Sequence, residues 1–278
     1  MDYSVKNKIQ KMIGSLGYVI CKKQTIESIS QESAALRDRI SELEKLLALG
    51  DQEAEIIGAS QTPMFASLGG RCEVAWQISN IFGRQLSGPF DWLVTPLQSI
   101  PLMISERLKF ITDRRFLEKS HYFHPFNGKR LETVINTRYG VFLHHEFSRD
   151  ESGGISDNWL EEVEQATSKW KFVTERWFDT ITEAPDVVFV RQRGRFSMPE
   201  EQELRTCEED YLLVLDALKT VCPQARLAVA DPGCQLLSGK IETAEVGISG
   251  ANDWTDSNDY WKGATHKWQP FLRKLAEK

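Results

Sequence analysis

Short apolar runs of strand length alternate with longer segments in which apolar residues recur every three or four positions. The strand-like runs are at 64–68, 90–94, 134–136, 140–144, 187–193, 226–231 and 244–249, and helical spacing is found over 72–82, 97–111, 159–182, 200–221 and 259–278. This alternation is typical of a mainly parallel sheet with helices on both faces. We therefore predict a three-layer α/β domain over residues 61–278.

The first 60 residues have a different pattern. Apolar residues recur at helical spacing between Ile9 and Ile20, beside lysines that make residues 5–23 strongly basic. This composition is typical of an amphipathic helix that lies on an anionic membrane surface. A helix that docks on the rest of the protein or on a partner has the same pattern, so both interpretations stay open.

A second helical segment follows at residues 26–47, where Ile29, Leu36 and Leu43 repeat every seven positions and Ser33 interrupts the alternate positions. The repeat predicts a short coiled coil, through which the chain would form a homodimer. Because a coiled coil of this length is marginal by itself, a single amphipathic helix is the alternative. We place the end of this N-terminal region at residue 60.

Composition and charge exclude several classes of protein. The net charge is −6, and the basic residues of the α/β domain are not gathered into one stripe, so we expect no nucleic-acid partner. No apolar run approaches the roughly 20 residues of a membrane-spanning helix. The five cysteines are odd in number and form no CxxC pair, and no convincing secretory signal is present. We expect a cytoplasmic protein that contacts the inner membrane only peripherally, through its basic segment.

The candidate nucleophile is Cys72, in a segment that reads as a strand, a glycine turn and a helix. Gly69 and Gly70 allow the turn, and the helix begins at the cysteine. Unpaired backbone N–H groups and the helix dipole favour a thiolate at this position, and Arg71 would favour it further. The same N–H groups can hold an oxyanion. The alternative is a half-buried structural cysteine beside a turn.

A cysteine nucleophile needs a base and a group that orients the base. His144 and His145 end a strand-like run, and strand alternation directs them to opposite faces, so we expect only one to meet the thiol. Asp91 is the candidate acid, because its apolar surroundings demand a partner for the carboxylate. That partner is either the histidine or a structural group of its own turn.

Two further sets of residues complete the prediction. Arg191 ends a buried strand, where it could bind an anionic group of the substrate. Asp256 and His266 precede or begin the last helix, where they provide an alternative base, as in esterases whose last loop carries the histidine. His121 and His124 have a spacing that suits one helical face, but no thiolate pair or HExxH motif accompanies them, and no nucleotide-binding loop or GxSxG motif is found, so we expect no metal and no cofactor.

Five blocks occur in a specific order: SLGGRCEVAWQI, SGPFDWLVTP, YGVFLHHEF, VVFVRQR and DYWKGATHKW. Together they resemble a bacterial family of predicted papain-like cysteine peptidases, over roughly residues 62–275. The resemblance implies a cysteine-dependent hydrolase or transferase, with Cys72 as nucleophile and His145 as base. The order of elements is more similar to SGNH-type or Rossmann-like domains than to the barrel of papain.

The resemblance also implies a role in surface-polysaccharide metabolism, since members of the family look like parts of such gene clusters. The expected substrate is then a peptide or an acylated sugar. A basic N-terminal helix and a coiled coil would suit an enzyme beside the inner membrane. The alternative function is that of a non-catalytic binding protein in a polysaccharide assembly complex, which would use the glycine turn only to recognise an anion.

Overall fold

The computed structural model describes residues 63–70, 72–83, 87–93, 95–123, 130–193, 206–247 and 262–278. These residues belong to one compact unit, Thr62–Lys278. The predicted membrane-binding helix at 5–23 and the predicted coiled coil at 26–47 lie outside the described residues, as do Arg71 and Asp256. Within the described part of the chain, no helix is both long and apolar enough to cross a bilayer.

The larger sheet is parallel, as predicted. Its strands are β1 (Met64–Ser67), β5 (Val187–Gln192), β6 (Ala225–Ala230) and β7 (Glu242–Ala244), in the spatial order β1-β5-β6-β7. Strands β1, β5 and β6 lie close to the apolar runs predicted for them, whereas β7 begins two residues before its run. Because all four strands are parallel, their carboxyl ends meet at one edge of the sheet.

Helices cover both faces of this sheet. On one face, α1 (Cys72–Phe82) and α5 (Thr265–Ala276) pack against alternate strand residues such as Phe65, Val188 and Val190. On the other face lie α2 (Ile100–Ser105), α3 (Val163–Glu183) and α4 (Glu208–Lys219). The described residues therefore form an α/β fold, which confirms the predicted class.

A second, antiparallel sheet consists of β2 (Leu117–Phe123), β3 (Arg130–Asn136) and β4 (Val141–Phe142), in that spatial order. The sequence predicted only short runs near β3 and β4. Strand β2 was missed because Glu118, Lys119 and Ser120 give it no apolar pattern. It is a strand because it pairs with β3 over its whole length, which is a tertiary contact.

Two local predictions are wrong. Residues 89–92 form a turn and not the predicted strand, because the Asp91 carboxylate accepts hydrogen bonds from the turn itself. The helix predicted over 97–111 is a short 3₁₀ turn, Leu97–Ser99, followed by α2. The helix ends after Ser105 because Arg107 and Leu108 have positive φ angles of 49° and 51°, which no right-handed helix allows.

Candidate active site

The Gly69–Gly70 turn connects β1 to α1 and is fixed by close backbone contacts. Both glycines have positive φ, 70° and 81°. A Cβ at Gly69 would lie 2.9 Å from the carbonyl oxygen of Phe90, and a Cβ at Gly70 would overlap the carbonyl oxygen of Gln192. The turn therefore lies between the 87–95 segment and the end of β5, and only glycine fits at either position.

Cys72 is the first residue of α1, as predicted, and its side chain is half-buried. It is one of four cysteines in the described part of the chain, none of which forms a disulfide there. The other three are held as thiols: burial raises the pKa of Cys222 and of Cys234, and a hydrogen bond with Glu209 raises that of Cys207. Cys72 is the first residue of its helix, whereas Cys207 is the exposed N-cap of α4.

Asp91 is buried and bonded to its own turn. Its Oδ2 accepts a hydrogen bond of 2.8 Å from the Gly88 N–H and one of 3.3 Å from the Ser87 hydroxyl. Burial is the main reason that the pKa of Asp91 rises to about 6, and the two hydrogen bonds oppose it. Of the two partners that the sequence left open, the turn is the one these contacts favour.

His145 lies at the wall of a cavity of about 420 Å³, which we call the His145 cavity. Its walls come from three segments of the chain, the 87–93 segment, the end of the β4 region and α3. The lining residues are Ser87, Gly88, Pro89, Trp92, Leu93, Leu143, His145, Glu146, Lys169, Trp170 and Val173. Cys72 does not line this cavity. The rings of Trp92 and His145 are 5.7 Å apart, edge to face. Burial, followed by the charges of Arg149 and Lys169, lowers the pKa of His145. A histidine of this kind is neutral near neutral pH and can take a proton.

His144 and Glu146, the neighbours of His145, have different surroundings. The rings of His144 and His145 are 4.5 Å apart and nearly perpendicular. Glu146 accepts hydrogen bonds of 2.8 Å from Lys169 and 2.7 Å from the Trp170 indole, so its carboxylate is directed to α3. The roles of the two histidines stay predictions.

Arg191 is fully buried beneath the turn. Its guanidinium donates hydrogen bonds to the carbonyl oxygens of Leu68, at 3.2 Å, and Thr95, at 2.9 Å. It thereby ties the end of β1 to the 87–95 segment. In this conformation no part of its side chain is open to a substrate, so its described contacts are structural and its predicted contact with a substrate anion stays untested.

The C-terminal helix packs on the helix that Cys72 begins. Trp268 donates a hydrogen bond of 2.8 Å to Glu73, and the Gln77 amide donates bonds to Lys262, at 2.6 Å, and Thr265, at 3.2 Å. His266 is exposed in the first turn of α5, next to these contacts. The segment that carries His266 thus contacts the helix that Cys72 begins, whereas the carbonyl oxygens of Phe90 and Leu93 lie nearest to the Cβ position of Gly69 in the turn before it.

Two acidic residues, Glu73 and Asp231, are buried near the carboxyl ends of the parallel strands, and the sequence prediction missed Glu73. Glu73 is fully buried, although an acid in the first turn of a helix usually faces solvent. Asp231 follows β6 and accepts hydrogen bonds of 3.0 Å from the N–H groups of Val246 and Gly247. The position of Asp231 directly after a buried strand is visible in the sequence, whereas the burial of Glu73 depends on the distant Trp268.

These features define an α/β protein with a cysteine at the strand-to-helix turn of its parallel sheet. The family described as "Putative papain-like cysteine peptidase (DUF1796)" matches residues 63–211, more than half of the chain. The protein belongs to this family, as its sequence blocks indicated. The matched region includes Cys72, Asp91, His145 and Arg191 but ends before His266. No curated protein and no solved structure matched the chain.

Proposed function

We propose that the protein is a cysteine-dependent hydrolase or acyltransferase in which Cys72 is the nucleophile. The observation that carries this proposal is the position of Cys72, half-buried at the start of α1 and two residues after Gly70, the second of two glycines of positive φ. Backbone N–H groups at a helix N-terminus stabilise a thiolate and can hold an oxyanion. Membership of a family described as cysteine peptidases supports the same chemistry.

In the proposed reaction, the Cys72 sulfur forms a bond to the carbonyl carbon of the substrate as the carbonyl electrons move to oxygen. The N–H groups at the start of α1 stabilise this oxyanion. The base has meanwhile taken the proton of the thiol. When the tetrahedral intermediate collapses, the bond to the leaving group breaks and the base gives this proton to the leaving group. Water then cleaves the thioester in a hydrolase, and a hydroxyl or amine cleaves it in a transferase, which regenerates the thiol.

We assign the base to His145. Its lowered pKa keeps the ring neutral and able to accept the thiol proton. The cavity beside it is walled mainly by apolar atoms of residues such as Trp92, Leu93 and Leu143, which suits an acyl group. A peptide and an acylated sugar both present such a carbonyl. A function in surface-polysaccharide metabolism would require the acylated sugar.

A second candidate base is His266, and one observation favours it. The segment that carries His266 is bonded to α1 through Glu73 and Gln77, so it is held beside the helix that Cys72 begins. Under this alternative, the C-terminal segment supplies the histidine and the His145 cavity only binds the substrate.

The test is the rate of alkylation of each cysteine in the full-length protein by iodoacetamide at pH 6, followed by peptide mass spectrometry. We expect Cys72 to react about tenfold faster than Cys207, Cys222 and Cys234, because only a thiolate reacts appreciably at this pH. H145A should slow the labelling of Cys72, and H121A, on β2, should not. If H266A slows it and H145A does not, the base is His266. Equal, slow labelling of all four thiols would contradict a cysteine enzyme.

The substrate class is tested by trapping the acyl-enzyme. The protein is incubated with a 4-nitrophenyl ester, a peptide coumarylamide or an O-acetylated sugar, and then digested for mass spectrometry. An acyl group on the Cys72 peptide that hydroxylamine removes is the expected result, and C72A is the control that should lack it. Release of product by C72A at the wild-type rate would contradict the proposal.

A further inference from the structure

A second cavity of about 400 Å³ lies between the segment after α2 and one side of α3. We call it the α3 cavity, and its walls are Glu106, Arg107, Leu108, Lys109, Ile111, Thr112, Thr167, Trp170, Lys171, Thr174, Glu175 and Phe178. Trp170 is the one residue that lines both this cavity and the His145 cavity. The α3 cavity lies wholly within the family match but takes no part in the proposed reaction.

One wall of the α3 cavity holds a buried hydroxyl without a hydrogen-bond partner, that of Thr174. The other described hydroxyl residues of α3 each donate to the carbonyl four residues earlier: Thr167 to Val163, Ser168 to Glu164, Thr180 to Arg176 and Thr182 to Phe178. A buried hydroxyl that bonds to nothing destabilises a fold. Thr174 therefore has a donor available for a group that enters the cavity.

The rest of the lining combines apolar walls with a cationic rim. Leu108, Ile111, Trp170 and Phe178 are buried and give the cavity an apolar interior. Arg107, Lys109 and Lys171 are its basic lining residues, against two acidic ones, Glu106 and Glu175. One of these two, Glu106, is already bonded to Arg138 and to the Tyr139 hydroxyl, so its charge is compensated. With three basic and two acidic residues, the lining has an excess of one positive charge, and two of its basic residues are also ion-paired, Arg107 with Asp179 at 3.9 Å and Lys171 with Glu175 at 4.0 Å.

The cationic residue nearest the aromatic wall is held by an unusual backbone. Arg107 and Leu108 are consecutive non-glycine residues with positive φ, a conformation that costs free energy at each. It places Leu108 in the core and the Arg107 guanidinium 4.3 Å from the centre of the Phe178 ring. Strained backbone of this kind is enriched at sites that bind ligands.

We propose that the α3 cavity binds an anionic ligand with an apolar body, a carboxylate or a phosphate ester. The apolar body packs on Trp170 and Phe178, Thr174 donates a hydrogen bond to an oxygen of the ligand, and Arg107 and Lys171 attract its charge. This binding does not depend on Cys72. Because Trp170 also lines the His145 cavity, a ligand here contacts the same indole as a substrate there.

The test uses the full-length protein and isothermal titration calorimetry with phenyl phosphate, phenylacetate, phenol and inorganic phosphate. We expect one or both aromatic anions to bind at least about fivefold more tightly than phenol and than inorganic phosphate, because only they satisfy both the apolar and the cationic parts of the site. The preferred anion distinguishes a phosphate-ester site from a carboxylate site. Equal binding of phosphate and phenyl phosphate would contradict the proposal, since it would indicate surface charge alone.

Two matched variants locate the binding. T174V removes the unpartnered hydroxyl and should weaken the preferred anion about fivefold or more, while the variant itself stays at least as stable as the wild type. T167V removes a hydroxyl that is bonded to the helix, in the same cavity, and should leave the affinity within about twofold. C72A should bind as the wild type does. Unchanged affinity in T174V, or absence of binding by the folded wild type, would overturn the proposal whether or not Cys72 is a nucleophile.

Discussion

The indole nitrogen of Trp268 donates a hydrogen bond of 2.8 Å to the carboxylate of Glu73, the residue next to Cys72 and 195 positions away in sequence. Both side chains are fully buried. A Cβ added at Gly263 would overlap the carboxylate of Glu73, so the C-terminal segment approaches Glu73 closely. The start of the helix that carries the candidate nucleophile is therefore fixed by the end of the chain.

Loss of the indole donor should destabilise the fold. W268F keeps an aromatic ring but removes the N–H that Glu73 accepts, and we expect the free energy of unfolding to fall by about 1–3 kcal/mol. The measurement is urea denaturation followed by circular dichroism. W92F is the control, because Trp92 is 48% exposed and should change the free energy by less than about 0.5 kcal/mol. Equal effects of the two substitutions would show that the bond to Glu73 contributes nothing.

The turn before Cys72 should tolerate no side chain. G70A would overlap the carbonyl oxygen of Gln192, and we expect it to lower the free energy of unfolding by more than about 2 kcal/mol. G83A is a matched control: Gly83 also has a positive φ, of 79°, but nothing lies within 4 Å of its added Cβ. G83A should lower the free energy of unfolding by about 1 kcal/mol, the strain of a non-glycine residue at positive φ alone. A G70A protein as stable as G83A would contradict the close packing of this turn.

Asp91 should make the fold less stable as pH rises from about 4 to about 6. Burial raises the pKa of Asp91 from its ordinary value of 3.8 to about 6, so the folded state binds a proton more tightly than the unfolded state. The resulting stabilisation is fully present below the lower value and is lost as pH increases through the higher one. D91N cannot ionise and should lack this dependence, which corresponds to about 1–3 kcal/mol.

Chemical denaturation of the wild type and D91N at pH 4, 5, 6 and 7 measures this difference. The stability of the wild type relative to D91N should decrease over this range. A constant difference between the two proteins, or one that changes in the opposite direction, would show that the Asp91 carboxyl is not desolvated in the fold.

Positive charges near His145 should keep its ring neutral. Lys169 and Arg149 both lower the pKa of His145, after burial. K169A should therefore raise it by a fraction of a unit, and R149A should act in the same direction. The measurement is the chemical shift of the His145 ring protons against pH. K171A, two residues along α3, is the control and should leave the titration unchanged.

The local structure around Cys72 could be predicted because neighbouring residues determine it. The apolar run of β1, the two glycines and the helical spacing after Cys72 define a strand, a turn and a helix, and each of these patterns is local. The parallel strands β5 and β6 were predicted for the same reason, since residues buried on both faces form continuous apolar runs.

The surroundings of the site residues could not be predicted in this way. Asp91 was expected in a strand, but its burial and its bond to the Gly88 N–H make the segment a turn. The predicted contact of Arg191 with a substrate anion stays a prediction, and the sequence did not indicate that its guanidinium donates hydrogen bonds to the carbonyl oxygens of Leu68 and Thr95. The partners of Arg191 come from segments distant in sequence, whereas those of Asp91, Ser87 and Gly88, lie in its own turn and only its burial depends on the rest of the fold.

The sequence by itself determined the class of fold, the family and the position of Cys72 at the start of a helix, because these depend on local periodicity and on short blocks of residues. Only the tertiary structure decided which polar groups are buried and what they bond to. Glu73, Arg191 and Thr174 received their surroundings from segments distant in sequence. Burial and hydrogen bonding of a side chain depend on the whole packed domain, so they cannot be derived from the residues on either side.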